Sequence, residues 1–331
     1  MIRLATVGTS NICKKFLSGM VLTKEFELSA VYSRKYETGA CFAKDYGVSR
    51  IYTNLEELAK CEDIDAVYIA SPNAFHAEQS RVFLENGKHV ICEKPITTRY
   101  EDYRELKKLA DSKSLIYMEA MISRHNEDYV LIKDALKQIG NIVFAKIDYC
   151  QRSSRLDSFN KGEKVNIFDM SLHAGTLMDL GIYCVSGAVD LLGMPNIIKA
   201  DKYTLKNGAD GAGYAIFDYG SFPAVLTYCK TGAGHAGSEI VGDKGTLKID
   251  MISQYAGVTL IKDNESRIIS DYKSKAEQMR SEAQHFANYI LRYEEFEKEY
   301  DSISKLTHDV QKCMDIIKKE AGLIYPEINK E

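Results

Sequence analysis

Residues 88–95 read KHVICEKP, a run of apolar side chains that ends in Glu93, Lys94 and Pro95. This pattern is typical of a buried parallel strand that carries polar groups to the mouth of a cleft. Pro95 has a fixed φ, lacks a backbone donor and keeps the preceding residue out of the helical region, so we expect Lys94 on extended backbone. The alternative is a strand end with a solvated ion pair, and the surrounding sequence favours the first interpretation.

Short apolar runs alternate with amphipathic segments on both sides of this stretch. Strands are predicted at residues 2–7, 27–34, 51–52, 65–70, 88–94 and 115–120, with helices between them. Six strands with intervening helices in about 120 residues have the size and order of a Rossmann domain. We therefore predict an α/β fold with a doubly wound parallel sheet over residues 1–121, and we expect this domain to bind a dinucleotide.

The first predicted strand runs into a loop of mostly small residues, Gly8, Thr9, Ser10, Asn11 and Ile12. A dinucleotide-binding fold places the pyrophosphate here, against backbone N–H groups and the N-terminus of the following helix. The usual G-x-G-x-x-G is incomplete, because Ser10 and Cys13 occupy the second and third glycine positions. Small residues still allow the backbone to approach a phosphate, and Ser10 can cap the helix.

The second predicted strand ends at Ser33 and Arg34, about 25 residues after Gly8. An acidic residue near this point would accept the adenosine ribose hydroxyls of NAD, whereas a serine and an arginine suit a 2′-phosphate. Because no Asp or Glu stands at the strand end, NADP is favoured over NAD. The alternative is an arginine on a solvated turn.

The strand at 65–70 leads into Ser71, Pro72 and Asn73, and His76 follows. In an open α/β sheet, ligands bind outside the carboxyl ends of the strands, so we expect this loop to lie beside the first one. Asn73 and His76 can contact the cofactor there. The equal alternative for His76 is a helix-capping or core histidine.

Beyond residue 121 strand-like segments are separated by turn signals such as Asn207 followed by Gly208. Strands are predicted at 142–149, 197–205, 212–219, 223–230, 238–242, 245–250 and 256–261, and helices at 126–138, 275–292 and 302–320. We expect an α+β domain over residues 122–331 with a large, mostly antiparallel open sheet, whose last helix can pack back on the first domain. One sheet face would pack on helices, and the other is a candidate surface for dimerisation.

A largely apolar predicted helix at 172–184 contains Asp179 and Tyr183, four residues apart and hence on one face. A carboxylate in such surroundings needs a partner. Either the two side chains form a structural hydrogen bond in the core, or they line a cleft opposite Lys94.

Composition argues against several classes of protein. The formal net charge of -4 gives no basic footprint for nucleic acid. We find no apolar run of the roughly 18 residues that span a bilayer, and the amino terminus reads as a strand rather than a signal peptide. The eight cysteines are scattered without a Cys-x-x-Cys pair, which suits a reducing compartment, and the seven histidines form no metal-ligand motif. We predict a cytoplasmic protein without a metal.

Several of these features together resemble the glucose-fructose oxidoreductase and inositol dehydrogenase family, also called Gfo/Idh/MocA. The matching landmarks are VGTSNI at 7–12, SPN at 71–73 with His76, EKP at 93–95, MEA at 118–120 with Arg124, and DLGIY at 179–183. Their order and spacing extend over nearly the whole chain. The segment GIYCV at 181–185 is most similar to the dimeric dihydrodiol dehydrogenase branch, where tyrosine replaces the histidine of inositol dehydrogenases.

The resemblance implies a cofactor site. The loop from Gly8 to Ile12 would hold the pyrophosphate, and Ser33 with Arg34 would hold the adenosine ribose or its phosphate. The remaining cofactor contacts would come from Ser71, Pro72, Asn73, His76, Glu93, Lys94 and Arg124.

The resemblance also implies the catalytic and substrate-binding residues. Lys94 would lie beside the nicotinamide and the reacting carbon, often with a cis bond before Pro95; Asp179 would orient a substrate hydroxyl, and Tyr183 would be the acid/base. The pKa of a free tyrosine, about 10, is too high for a good base at neutral pH, and a neighbouring ammonium such as that of Lys94 would lower it. In this family the segment before the aspartate is rich in glycine, whereas here it contains His173. This histidine either contacts substrate, which we favour, or is a core histidine with its hydrogen bonds satisfied.

These observations predict an NAD(P)-dependent oxidoreductase that transfers a hydride between nicotinamide and a carbinol or carbonyl carbon of a sugar, polyol or related diol. The alternative is a non-catalytic, dinucleotide-binding, sugar-sensing regulatory protein of the same fold. Joint retention of Lys94, Asp179 and Tyr183 argues against it. A glycosidase that oxidises its substrate transiently with tightly held NAD is a third interpretation. We expect a homodimer, with a tetramer as the alternative, and no nucleic-acid or membrane partner.

Overall fold

The structure, a computed structural model, describes residues 1–327. The chain forms two compact units. The first consists of Met1–His125 and Ser274–Ser304, and the second of Asn126–Lys273 and residues 305–327. The sequence predicts one boundary at residue 121, so the inclusion of Ser274–Ser304 in the first unit is a difference that only the packing reveals.

The first unit is built on a six-stranded sheet with the order β3-β2-β1-β4-β5-β6, in which the paired strands are parallel. The strands are β1 (Ile2–Val7), β2 (Phe26–Tyr32), β3 (Ile51–Tyr52), β4 (Ala66–Ile69), β5 (His89–Glu93) and β6 (Tyr117–Ala120). The strand order reverses between β1 and β4, and ligands bind at the carboxyl ends of strands beside such a reversal. The predicted doubly wound parallel sheet is confirmed.

Helices cover both faces of this sheet, and so its central strands are continuous apolar runs, such as AVYI in β4. The helices between the strands are α1 (Asn11–Thr23), α2 (Tyr36–Lys44), α3 (Leu55–Ala59), α4 (His76–Glu85) and α5 (Tyr100–Ser112). Short 3₁₀ turns follow β4 at Asn73–Phe75 and β6 at Ile122–His125.

Two further helices, α9 (Lys275–Leu291) and α10 (Tyr293–Glu320), come from the end of the chain. Helix α9 packs on α1. A Cβ added at Gly19 of α1 would overlap the backbone of Met279, so the two helices touch backbone to backbone. Met279 and Phe286 belong to the same apolar core as the buried face of α1. This contact explains why Ser274–Ser304 belongs to the first unit.

The second unit contains an eight-stranded sheet with the order β14-β13-β12-β11-β7-β10-β9-β8. Its strands are β7 (Ile142–Cys150), β8 (Ile197–Thr204), β9 (Asp210–Asp218), β10 (Pro223–Cys229), β11 (Ser238–Gly242), β12 (Gly245–Met251), β13 (Ala256–Lys262) and β14 (Glu265–Ser270). Strands β7 and β10 are parallel, and the other pairings are antiparallel. The predicted mostly antiparallel sheet is confirmed, with β14 as a strand that the sequence does not predict.

The helices of the second unit are α6 (Tyr129–Gln138), α7 (Leu156–Asn160), the π-helical turn Leu177–Gly181 and α8 (Ile182–Leu192), with 3₁₀ turns at Asn166–Phe168 and Met170–Leu172. Helix α8 packs on β7 and β10. Alternate strand residues such as Ile147 and Phe217 are buried, whereas Phe144, Tyr214 and Ile216 are exposed.

One helical stretch in the described part of the chain, Met170–Leu192, is long and apolar enough to cross a membrane, although the sequence reading found no such run. Of its apolar window, 78% is buried inside the protein. That degree of burial is typical of a core helix, so length and composition alone do not make this stretch a membrane span.

Candidate active site

Gly8 ends β1 with φ +112°, a conformation that side chains other than glycine rarely adopt. An added Cβ would lie 2.9 Å from the carbonyl oxygen of Ala70, the residue after β4. The Gly8 N–H donates to the carbonyl of Tyr32 at the end of β2 (3.1 Å). The first loop is therefore held between the ends of both neighbouring strands.

Ser10 occupies the N-cap position of α1, but its side chain makes no capping hydrogen bond. Its hydroxyl donates to the Sγ of Cys13 (3.7 Å), and that thiol donates to the carbonyl of Gly8 (3.3 Å). Burial raises the pKa of Cys13 to about 11, so it stays a thiol donor at neutral pH. The two residues that replace glycines thus brace the loop from within. The first-turn N–H groups of α1 lack intrahelical acceptors, as at any helix start, and suit an anion.

Ser33 and Arg34 directly follow β2 and differ in exposure. Ser33 is buried, and its N–H donates to the carbonyl of Tyr52 on β3 (3.1 Å). Arg34 and the next residue, Lys35, are exposed, and neither side chain forms an ion pair or hydrogen bond within residues 1–327. Two cations therefore flank the strand end where a 2′-phosphate is expected. The sequence analysis does not name Lys35 as a candidate phosphate ligand, although its position next to Arg34 indicates it.

The loop after β4 is fixed by buried side chains. Ser71 donates its hydroxyl to Oε1 of Gln79 (2.7 Å). The ring of His76 lies between two carbonyl oxygens, with Nδ1 2.8 Å from that of Pro95 and Nε2 2.8 Å from that of Ser71. A neutral imidazole can donate to only one of them at a time. Burial lowers the pKa of His76. Of the two alternatives, a cofactor contact or a core histidine, the position of His76 matches the core histidine. Its ring joins the loop after β4 to the loop after β5.

The end of β5 presents Glu93 and Lys94. The Tyr68 hydroxyl donates to Oε1 of Glu93 (2.6 Å), and the Lys94 N–H lies 3.3 Å from Oε2. Burial raises the pKa of Glu93, and the Tyr68 hydrogen bond opposes that rise. The Lys94–Pro95 peptide bond is cis, as the resemblance implies. Lys94 and Glu93 are both partly exposed at this strand end.

The next strand, β6, supports the same loop. The buried carboxyl of Glu119 accepts a hydrogen bond from the N–H of Ile96 (2.9 Å), which fixes the backbone just after the cis proline. Arg124 directs Nη2 toward the hydroxyl of Ser302 on α10 (3.3 Å). The structure thus gives Arg124, an expected cofactor ligand, a contact with the carboxyl-terminal helices.

Helix α9 adds two groups near Glu93 that no motif indicates. Glu282 is fully buried, and neither carboxyl oxygen has a hydrogen-bond partner among the described residues. Burial first, and then the charge of Glu93, raise its pKa well above the usual range. Burial lowers the pKa of Lys275, also on α9, while the charge of Glu282 opposes that shift.

In the second unit, the segment from Leu177 to Val189 is buried except at two positions. Asp179, in the π-helical turn, and Tyr183, in the first turn of α8, are partly exposed. Single π-helical turns occur frequently at functional sites. The ring of Tyr183 meets the edge of Tyr149 on β7, with centroids 5.7 Å apart. The two predicted catalytic side chains therefore share the accessible strip of this segment.

The start of this helix is fixed by Asp210, the first residue of β9. Its Oδ2 accepts a hydrogen bond from the N–H of Leu177 (2.5 Å), and its carbonyl accepts one from the hydroxyl of Thr176 (2.9 Å). Burial raises the pKa of Asp210 to about 6, although the bond from Leu177 opposes the rise. No motif around Asp210 indicates this role.

Asp179 has a partner that the sequence reading missed. Oδ2 of Asp179 pairs with the ammonium of Lys230, the residue after β10. Lys230 is buried. The only signal in the sequence was the requirement that a carboxylate in an apolar helix find a partner.

His173 is buried against the end of the chain. Its ring stacks on Tyr325 (centroids 5.0 Å apart), and Nε2 lies 3.0 Å from the carbonyl of Pro326. The geometry favours a satisfied core histidine over the substrate contact that we expected.

The fold of the first unit is that of dinucleotide-binding domains, and two protein-family models match most of the chain. Residues 2–121 match the model described as "Oxidoreductase family, NAD-binding Rossmann fold", and residues 131–248 match the "GFO/IDH/MocA C-terminal domain". The chain belongs to the Gfo/Idh/MocA family of oxidoreductases, which confirms the resemblance seen in the sequence.

Individual relatives agree with this assignment. Scyllo-inositol 2-dehydrogenase (NADP(+)) IolU of Bacillus subtilis (strain 168) is 36% identical over 329 residues, which cover 98% of this chain and 99% of IolU. Trans-1,2-dihydrobenzene-1,2-diol dehydrogenase of Xenopus laevis is 27% identical over 230 residues, 68% of this chain and 67% of the relative. The crystal structure of KijD10, a 3-ketoreductase from Actinomadura kijaniata with NADP and TDP-benzene, shares the fold: its TM-score is 0.82 at 20% identity, covering 97% of this chain and 98% of KijD10.

Proposed function

We propose that this protein is an NADP-dependent dehydrogenase or reductase that acts on a CH–OH group of a cyclitol, sugar or related diol. The observation that carries the proposal is the accessible strip of the buried helix, where Asp179 and Tyr183 alone are partly exposed between Leu177 and Val189. A carboxylate can orient a carbinol, and a neighbouring tyrosine in its phenolate form can deprotonate it. The similarity to scyllo-inositol 2-dehydrogenase supports a cyclitol as the first substrate to test.

The first unit would hold the dinucleotide. The braced loop from Gly8 to Ile12 and the start of α1 fit the pyrophosphate. Exposed Arg34 and Lys35 fit a 2′-phosphate, which supports NADP over NAD. Further contacts are proposed from Ser71, Pro72, Asn73, Glu93, Lys94 and Arg124. When bound, the nicotinamide supplies the hydride acceptor or donor.

The protein groups would manage the proton and the developing charge. In oxidation, Tyr183 in its phenolate form would accept the hydroxyl proton of the carbinol, while the carbinol carbon gives up a hydride to the cofactor and a carbonyl forms. Asp179 would accept a hydrogen bond from a substrate hydroxyl and so fix the carbon that reacts. The ammonium of Lys94 would stabilise negative charge on the reacting oxygen, a contribution worth about 100-fold or more in comparable sites.

Binding of the reduced cofactors tests the proposal first. The chain has no tryptophan, so the fluorescence of NADPH or NADH is followed directly. We expect saturable NADPH binding within about 100 μM and weaker NADH binding. NADP reduction is then measured with scyllo-inositol, other cyclitols, aldoses and diols. Binding without turnover of any substrate would favour a sugar-sensing regulatory protein, and absence of both would refute the proposal.

We also propose a homodimer through the outer face of the second sheet. Phe144, Tyr214 and Ile216 are exposed there on strands β7 and β9. Exposed apolar groups on a sheet face favour protein contacts. Sedimentation of the protein and of Ile216→Lys tests this, because a dimer through this face should dissociate in the variant.

The cytoplasm is the proposed compartment, and the free state of all eight cysteines supports it.

A further inference from the structure

Lys230 is a buried lysine at the end of a strand. It follows β10, its residue is 5% exposed, and its backbone is fixed on both sides. Its N–H donates to the carbonyl of Gly211 on β9 (3.0 Å), and its carbonyl accepts from the N–H of Ser153 (2.9 Å). The base of the side chain therefore has little freedom to move.

The ammonium of Lys230 has one acidic partner. Among residues 1–327, Asp179 is the only carboxylate within 4 Å of Nζ. A buried charge that is not paired is very costly, so the ammonium needs this carboxylate.

The two members of the pair differ in their access to solvent. The side chain of Lys230 is 6% exposed, whereas that of Asp179 is 42% exposed. A pair with only a structural role would have no reason to leave its carboxylate on the accessible strip beside Tyr183. The asymmetry instead suits a fixed cation that holds an acceptor facing a ligand.

We propose that Lys230 is a positioning residue, which keeps Asp179 ionised and aimed at a substrate hydroxyl. This inference rests on the proposed dehydrogenase function, because it assigns Asp179 a substrate to orient. Lys230 occupies one carboxylate oxygen from the buried side and acts on the substrate only through Asp179.

The pairing itself is tested without cofactor or substrate, by thermal unfolding. Asp179→Asn should lower the midpoint because it leaves the Lys230 ammonium buried without a carboxylate. Lys230→Met in the Asp179→Asn background should restore much of the loss, since it removes the unpaired charge. Equal or additive losses in the single and double variants would overturn the pairing.

The positioning role is tested by kinetics of NADP reduction. Lys230→Met should lower kcat/KM by about 10- to 100-fold, the range for loss of one charged hydrogen bond. NADPH affinity should stay unchanged, and Lys230→Arg should recover part of the activity. In the Asp179→Asn background, Lys230→Met should have little further effect, because the two residues act as one unit.

The pH profile separates positioning from general damage. Loss of the ammonium should move the acid limb of kcat/KM toward higher pH, because it removes a positive charge that favours the ionised forms of Asp179 and of the neighbouring base Tyr183. Lys199→Met is the matched control, since Lys199 pairs with Glu320 on an exposed part of the same unit. Unchanged kcat/KM and profile in an active Lys230→Met enzyme would overturn the inference alone, whereas a wild-type protein that turns over no substrate would overturn the proposed function.

Discussion

The candidate residues of the two units are held in different ways. In the first unit, Glu93 and Lys94 stand at the end of a strand, and their support comes from adjacent strands. The hydroxyl of Tyr68 on β4 donates a hydrogen bond to Glu93, and the carboxyl of Glu119 on β6 accepts one from the N–H of Ile96 in the loop after β5. In the second unit, Asp179 lies in a π-helical turn, and its charged partner, Lys230, is 51 residues away in the sequence.

This difference shows which parts of a site follow from local rules. A strand that ends at the carboxyl edge of a parallel sheet delivers its next residues to that edge, whatever the rest of the chain does. A side chain on a helix faces a cleft only if distant groups complete its surroundings. The helix site should therefore be the more sensitive of the two to substitutions far away in sequence.

The largest expected effect tests whether both regions take part in one reaction. Lys94→Ala and Tyr183→Phe should each lower kcat by about 100- to 10,000-fold, because under the proposed function each removes a group that would contact the reacting oxygen or its proton. NADPH affinity should remain nearly unchanged. Steady-state kinetics and fluorescence titration measure the two quantities.

Matched controls accompany these variants. Tyr149→Phe makes the same chemical change in the ring that contacts Tyr183, and Lys108→Ala removes an exposed lysine from α5. Both should retain wild-type kcat within about threefold. Normal turnover in Lys94→Ala or in Tyr183→Phe would show that the corresponding region is dispensable, and the comparison would fail.

An intermediate effect tests the dependence of the helix on Asp210. The pKa of this carboxyl is about 6 in the folded protein and 3.8 ordinarily, so folding favours its protonated form. Its contribution to stability is therefore fully present below pH 3.8 and is lost as the pH rises through 6. The two-unit difference corresponds to at most about 3 kcal/mol.

Asp210→Asn stays neutral at every pH and should lack this loss. The thermal midpoint of the wild type should fall relative to that of the variant between pH 4 and pH 7, as scanning calorimetry can measure. Asp218→Asn, at the exposed far end of the same strand, should follow the wild type. Parallel curves for wild type and Asp210→Asn would mean that folding does not raise the pKa of this carboxyl.

The smallest effect concerns the strand end of the first unit. Arg34→Ala should weaken NADPH binding by about tenfold, the size of one exposed charged contact with a phosphate, and leave NADH binding unchanged. Lys44→Ala, an exposed lysine on α2, should change neither affinity. Equal weakening of NADPH and NADH would place Arg34 elsewhere than at the 2′-phosphate.

The fold could be predicted because its signals are local. The strands of the first unit are apolar runs with turn residues between them, and a proline after Lys94 marks the edge of the sheet. The sequence predicts helix α9 as part of the second domain, whereas in the structure it packs on α1 at Gly19, a distant contact that no local pattern indicates. Strand β14 was missed because its exposed residues show no alternation.

The site was less accessible to prediction for a related reason. Asp179 and Tyr183 stood out as polar residues in an apolar helix, but the sequence YCKTGAG around Lys230 resembles any turn after a strand. The expected contact between His173 and substrate rests only on the closeness of His173 to Asp179 in the sequence. In the structure the ring of His173 instead faces Tyr325, a partner that follows from the path of the chain's end.

The backbone contact between α1 and α9 has a practical consequence for dissecting this enzyme. A fragment that ends at residue 125 would contain every strand of the parallel sheet, yet it would expose the apolar surface that Met279, Ala283 and Phe286 cover. Such a fragment should aggregate on expression. A stable nucleotide-binding fragment would need residues 274–304 joined by a linker to residue 125, so the smallest autonomous piece of this half is discontinuous in the gene.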